Sequence, residues 1–142
     1  MSKKKVFTNW LDLPPDFSPP DWEGFVYLIV NTLTDQRYIG RKYFWSKRKT
    51  KIKGQKRRKV VVSESDWKTY KSSSDDVKAD IKKYGLKNFE FYILSLHKTR
   101  AETNYEEIRQ QFIRNVLYDR FPNGNFVYYN ECILNRYYRR RN

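Results

Sequence analysis

Phe25-Val-Tyr-Leu-Ile-Val30, Asn31-Thr-Leu-Thr-Asp-Gln36 and Arg37-Tyr-Ile-Gly40 form the stretch that decides the fold. Two short runs of β-forming residues flank a segment rich in Asn, Thr and Asp, the composition of an antiparallel hairpin. Pairing Asn31 with Gln36 across a four-residue loop sets the register. Side chains alternate between faces along a strand, so Tyr27, Ile29, Tyr38 and Gly40 share one face. Tyr27 then stands opposite Gly40, with Tyr38 diagonal to it. Two phenols beside a residue without a side chain predict a polar hollow that a backbone or phosphate can approach. We read this hollow as the candidate active site.

Working outward, Tyr43–Lys49 has the composition to begin a short helix. Lys49–Lys59, around Gly54, reads as an exposed basic loop, and Val60-Val-Val62 as a short extended piece. Trp67 and Tyr70 are packing residues in a mixed segment. Ser72-Ser-Ser-Asp-Asp76 is a helix start, with capping hydroxyls and acids in the first turn. That helix runs to about Tyr84, with Val77, Ile81 and Tyr84 at core spacing and Gly85 as its C-cap. Phe89–Leu96 alternates as a third strand. A second helix opens at Thr103 or Asn104 and runs to about Tyr118. Tyr105, Ile108, Phe112 and Val116 form its expected apolar stripe, and Glu107 points away from it. Phe126–Asn130 is extended. Upstream, Lys3–Trp22 carries four prolines with Trp10 and Trp22, an extended arm that packs through its aromatics. The element order predicts an α+β fold, a small three-stranded antiparallel sheet flanked by helices. The expected organisation is an arm over 1–23, one domain over 24–130 with a basic insertion at about 47–60, and a basic tail over 131–142.

A chain of 142 residues, 39% hydrophobic and 18% aromatic, is large enough for one domain with a true core. Its longest apolar run, Phe25–Val30, is too short to span a bilayer. Met1-Ser-Lys-Lys-Lys is followed by no apolar segment, so no export is expected. Cys132, the only cysteine, excludes an internal disulfide and any multi-cysteine zinc site, which fits a reducing cytoplasm. The net charge of +14 and pI near 9.9 favour a polyanionic partner, nucleic acid first and not a membrane. Arg41–Lys59 alone holds eleven Lys or Arg and no acid, and Arg136–Arg141 adds a second basic cluster.

The order strand, strand, basic segment, helix, strand, helix resembles the GIY-YIG nuclease family. Phe25-Val-Tyr27 matches the first motif, with its usual glycine displaced to Gly24. Tyr38-Ile-Gly40, eleven residues after Tyr27, matches the second. Asn31 matches an asparagine often found after the first motif. Arg48, eight residues after Gly40, falls at the family's arginine, Glu107 at its helix glutamate and Asn130 at its terminal asparagine. The wording around Tyr38-Ile-Gly-Arg-Lys and Ser65-Asp-Trp-Lys-Thr-Tyr70 looks most like the stand-alone, phage-type (Seg-like) homing endonucleases.

What the resemblance implies is a metal-dependent DNA endonuclease that hydrolyses a phosphodiester. Such a reaction needs an activated water, neutralised phosphoryl oxygens and help for the leaving alkoxide. Tyr27 is the expected general base, Tyr38 positions the water or a phosphate oxygen, and Arg48 clamps the non-bridging oxygens. Glu107 holds Mg²⁺ or Mn²⁺, with Glu106 as the fallback ligand. Asn130 completes the catalytic set. A free phenol titrates near 10, so Tyr27 needs a cation nearby, for which Arg41 and Lys42 are the candidates. His97, the only histidine, ends a strand, so a histidine-centred site is not expected. With no zinc-finger or helix-turn-helix signature, DNA contacts are assigned to Arg41, Lys42, Lys56, Arg57, Arg58, Lys59, Arg139, Arg140 and Arg141. No nucleotide cofactor is expected. One site cuts one strand, so double-strand cleavage requires a dimer or sequential action. The alternatives are a non-catalytic basic nucleic-acid-binding protein and a restriction or repair nuclease with the same site.

Overall fold

A computed structural model of the chain describes residues 8–13, 17–51 and 53–140. β1 (Gly24–Asn31) and β2 (Arg37–Tyr43) form the hairpin, with Tyr27 opposite Gly40 and Ile29 opposite Tyr38. The loop closes through Asn31 N–H to Gln36 C=O at 2.8 Å. Inside it, the Asn31 side-chain oxygen accepts from Leu33 and Thr34 N–H, an Asx turn that frees no polar group. β5 (Phe89–His97) pairs antiparallel with the other side of β1, giving the order β2-β1-β5. β1 is paired along both edges and covered by a core on each face, which explains its nearly unbroken apolar run.

Two cores lie against the two faces of this sheet. Phe25, Tyr27 and Ile29 of β1 point into one, with Trp10, Phe44, Trp67 and Val77. Val26 points into the other, with Ile39, Val116, Leu117 and Tyr128. Trp10 from the N-terminal arm is 4% exposed, meets Phe25, Tyr27 and Phe91, and donates its indole N–H to Trp67 C=O at 2.6 Å. Helix α1 (Asp75–Tyr84) packs on the first face; Ser74 caps it by accepting from Val77 N–H, and Gly85, at φ 91°, ends it. Helix α2 (Arg100–Ile113) packs on the second face, capped by Thr99. It crosses so close to β1 that a Cβ on Gly24 would lie 2.8 Å from Thr103 Oγ1.

The structure corrects three local expectations. Tyr43–Lys49 is not a helix start and Lys49–Lys59 is not all loop. β3 (Trp45–Lys51) and β4 (Arg58–Glu64) pair as a basic two-stranded ribbon, because β-branched Val60–Val62 offers a partner strand across Gly54. α2 ends five residues short of Tyr118, and its inward face is not the apolar stripe. Tyr105 and Phe112 are 69% and 51% exposed, whereas Thr103 and Gln111 are buried. Glu107 and Gln111 face inward because they meet an unpaired strand edge, which needs hydrogen-bonding partners more than methyl groups, while Thr103 bonds Thr99 C=O of its own helix and packs over Gly24. Finally, the C-terminal segment folds back as a small hairpin of β6 (Cys132–Ile133) and β7 (Tyr137–Tyr138). Among the described residues, no helix is long and apolar enough to cross a membrane.

Candidate active site

β2 is an edge strand, and its outward-pointing backbone groups organise the site. Arg37 N–H donates to Val127 C=O, and Tyr129 N–H to Arg37 C=O, at 2.8 and 2.7 Å. Two residues on, side chains take over. Asn130 accepts from Ile39 N–H at 3.1 Å and donates to Ile39 C=O at 2.8 Å, while the Gln111 amide reaches the same carbonyl at 3.2 Å. A further two residues on, the carboxylate of Glu107 meets Arg41: its backbone N–H and, at 3.5 Å, its guanidinium. Asn130, Gln111 and Glu107 thus replace a missing strand along this edge.

Tyr27 and Tyr38 belong to the opposite face. The hollow over Gly40 is not open to a phosphate, because the Tyr27 ring fills it. A Cβ on Gly40 would stand 2.4 Å from the Tyr27 hydroxyl and 2.9 Å from Tyr38 Cε1. Tyr27 is 1% exposed, with Trp10, Phe25, Tyr38 and Tyr70 around it. Burial, then the neighbouring Tyr38 and Tyr70, push its phenol well above its ordinary value, while the Ser72 hydroxyl draws it down. Burial likewise raises Tyr38; hydrogen bonds from Ser73 and Ser72 oppose the rise, and the charge of Glu107 adds to it. Both phenols are therefore protonated hydrogen-bond donors at neutral pH.

The two faces communicate around the β2 edge. A cleft of about 440 Å³ runs along the phenol side, lined by Tyr27, Tyr38, Arg41, Lys42, Tyr70 and Arg100 among others. A second, of about 620 Å³, runs between α1, α2 and the Asn130 segment. Tyr38, Arg41, Ser73 and Glu107 line both, and stand where the clefts meet. Burial holds the Glu107 carboxyl above the ordinary range, and Arg41 only partly offsets this. Lys42 is tethered to Asp66 at 2.6 Å and lies over the Tyr70 ring. Arg100 is committed to Glu23 and Trp45 C=O. Arg41 is the guanidinium at this junction whose side chain is still 40% exposed.

The remaining expected residues lie elsewhere. Arg48 sits on β3 opposite Val61, exposed and outside both cleft linings. Glu106 is held by Arg109 and Gln110, and those contacts bring its carboxyl down to about 2, which leaves it no free oxygen pair for a metal. Lys56, Arg57, Arg58 and Lys59 are exposed at the far end of the ribbon. Arg139 is turned inward and donates to the carbonyls of Val116, Leu117 and Tyr128, with its guanidinium over Phe126. Arg140 is exposed, and Arg141 lies outside the described residues. Cys132 is half-buried in the wall of the larger cleft.

Sequence reasoning missed the serine turn. Ser72 is buried at φ 99°, a left-handed backbone rare for serine, and its Oγ accepts from Ser74 N–H at 3.0 Å. That turn presents Ser72 and Ser73 to the two phenols. Three consecutive serines are two more than the single helix cap uses, and this surplus was the available signal.

The donor set bears on a metal. Among the described residues, no three of His, Cys, Asp and Glu come together. A tetrahedral zinc site is therefore not built here. One partly buried carboxylate facing a cleft suits Mg²⁺ or Mn²⁺, which take a single protein carboxylate together with waters and phosphate oxygens.

A family model described as "Putative endonuclease segE, GIY-YIG domain" matches residues 8–133. No curated protein and no solved structure matches the chain.

Proposed function

The chain belongs to the SegE-type GIY-YIG endonuclease family, and from that premise we propose that it is a metal-dependent DNA endonuclease of the homing type. The observation that carries the mechanism is the junction of the two clefts. There a phenol, a guanidinium and a carboxylate come from opposite faces of the sheet around the β2 edge.

In this reading Glu107 holds the divalent cation. When bound, the cation supplies positive charge against the phosphoryl oxygens and offsets the carboxylate charge that now opposes ionisation of Tyr38. Arg41 takes the role of phosphate clamp that Arg48 was expected to fill. Support comes from its place beside Glu107 and its remaining exposure. Tyr38 borders both clefts and is the phenol that orients the attacking water. Tyr27 lines the smaller cleft beside it, with Ser72 and Tyr70 at its hydroxyl, and is the general base of this reading; a cation held at Glu107 would favour the ionised phenol that this role needs. Asn130 acts by positioning, holding Ile39 and so the strand between Tyr38 and Gly40.

The test is incubation with supercoiled plasmid in Mg²⁺, with and without chelator, for the wild type and for Glu107→Gln, Arg41→Ala and Tyr27→Phe. Metal-dependent nicking is expected, with each variant losing about 10²–10⁴-fold in rate while still shifting DNA in a gel. A salt-sensitive shift with no cutting at all leaves a nucleic-acid-binding protein and removes the enzyme.

A further inference from the structure

Beyond its root, neither the cores nor the clefts account for the β3–β4 ribbon. Every residue of β4 is exposed, as is β3 from Lys47 onward. Val60, Val61 and Val62 are 51%, 42% and 55% exposed, an odd expense for a solvated loop. The register sets Lys47 beside Val62 and Lys49 beside Val60 on one face, and Arg48 beside Val61 on the other. Each valine therefore has a cation across from it, in two pairs on one face and one pair on the other, and both faces carry cations. Between Trp45 and Ser63 there are nine Lys or Arg and no acid.

Its root is rigid. Phe44 is fully buried where β2 passes into β3, and Ser65 ties back to Phe44 C=O at 2.8 Å and Tyr43 C=O at 2.6 Å. Trp45 donates to Trp22 C=O at 3.0 Å, and its own carbonyl accepts from Arg100 at 2.8 Å. Trp45, Ser46 and Lys47 line the smaller cleft, so the ribbon projects from the rim of the site.

We propose that this ribbon is the base-reading element, lying in the major groove of duplex DNA beside the phosphodiester held in the cleft. The proposal rests on the endonuclease reading above. Two strands about 4.8 Å apart, with their side chains, match a major groove about 12 Å wide and not a minor groove of about 6 Å. With the Val60 and Val62 face turned to the groove floor, their methyls meet thymine methyls, and the lysines and arginines along the ribbon meet the phosphates of the groove walls. An anionic membrane would call for apolar residues on one face and cations on the other, which the register denies. From Ser46 to Lys51 the strand reaches about 17 Å, or roughly five base pairs. Base preference should therefore lie within about five base pairs on one side of the cut.

The experiment measures binding to a sequence-diverse duplex library in chelator, then maps cleavage ends in Mg²⁺. The proteins are wild type, the triple variant Lys49→Ala/Lys51→Ala/Lys59→Ala, and the triple variant Val60→Ser/Val61→Ser/Val62→Ser. The lysine variant should lower the slope of log Kobs against log salt by about 2–3. The valine variant should keep that slope and lose the flanking base preference. Unchanged thermal midpoints for both would show that the fold is intact. Wild-type slope and preference in both variants, no base preference in the wild type, or ribbon-dependent binding of single strands over duplex would each overturn the proposal. Ribbon-dependent duplex binding without cleavage sinks the nuclease reading alone, and cleavage indifferent to the ribbon sinks this one alone.

Discussion

Replacing Gly40 by alanine puts the smallest possible load on the site. The added Cβ would lie 2.4 Å from the Tyr27 hydroxyl, 2.5 Å from its Cζ and 2.9 Å from Tyr38 Cε1, about 1 Å inside ordinary contact. Something must move, and the Tyr27 ring is boxed in by Trp10, Phe25 and Tyr70. Overpacking of this kind costs about 1–3 kcal/mol. For a chain of 142 residues that is a fall in melting temperature of roughly 3–10 °C. The strand itself gains a little, since glycine is a poor strand residue, so the loss is attributable to the phenol. Because Tyr27 and Tyr38 are both displaced, cleavage should fall by about 10² or more. Thermal denaturation and plasmid nicking, run beside Tyr27→Phe, separate the two effects: the Phe control keeps the packing and loses only the hydroxyl. A Gly40→Ala protein as stable and as active as wild type would refute the fit of Tyr27 over Gly40, and with it the arrangement of the phenols.

Three further predictions concern the strand edge and its surroundings. Burial raises the Glu107 carboxyl in the folded chain, so the folded state binds that proton more tightly than the unfolded one. Stability from this group falls as pH rises from about 4.5 through the raised value, and the cost is complete at neutral pH. Glu107→Gln should then be more stable than wild type at pH 7 and lose that advantage below about pH 4, as denaturant midpoints at the two pH values would show. Asn130→Ala leaves the buried Ile39 N–H without an acceptor, and should cost about 1–3 kcal/mol in urea unfolding. Arg139→Ala removes hydrogen bonds to three carbonyls and should cost about 2–4 kcal/mol, while the salt slope of DNA binding stays at the wild-type value.

The hairpin was legible because its information is local. Period-two alternation and an Asn-initiated turn fix the register of Tyr27 on Gly40 without reference to the rest of the chain. Helix α1 was legible for the same reason, since Ser74, the acids after it and Gly85 all act within one element. The ribbon was half visible: its valines read as extended, but a partner made of Lys and Arg carries no hydrophobic period to betray a strand. Arg139 read as one more surface cation because nothing local marks the three distant carbonyls it satisfies.

The inward face of α2 failed for a different reason, and that reason bears on how such a site arises. Hydrophobic periodicity finds the side of a helix that covers apolar surface. α2 instead covers part of a strand whose backbone has no second neighbour, and Glu107 and Gln111 follow that demand. Filling this edge with a fourth strand would have satisfied Ile39 and Arg41 through backbone alone and sealed the sheet. Using side chains leaves gaps between them, and the clefts are those gaps. A carboxylate recruited to cap Arg41 N–H is then already beside a guanidinium from the same residue, and within electrostatic reach of a phenol on the other face. The same contact that completes the sheet therefore supplies the charged group of the site. It follows that substitutions along this edge should change stability and cleavage together, whereas substitutions on the ribbon should change only what is bound.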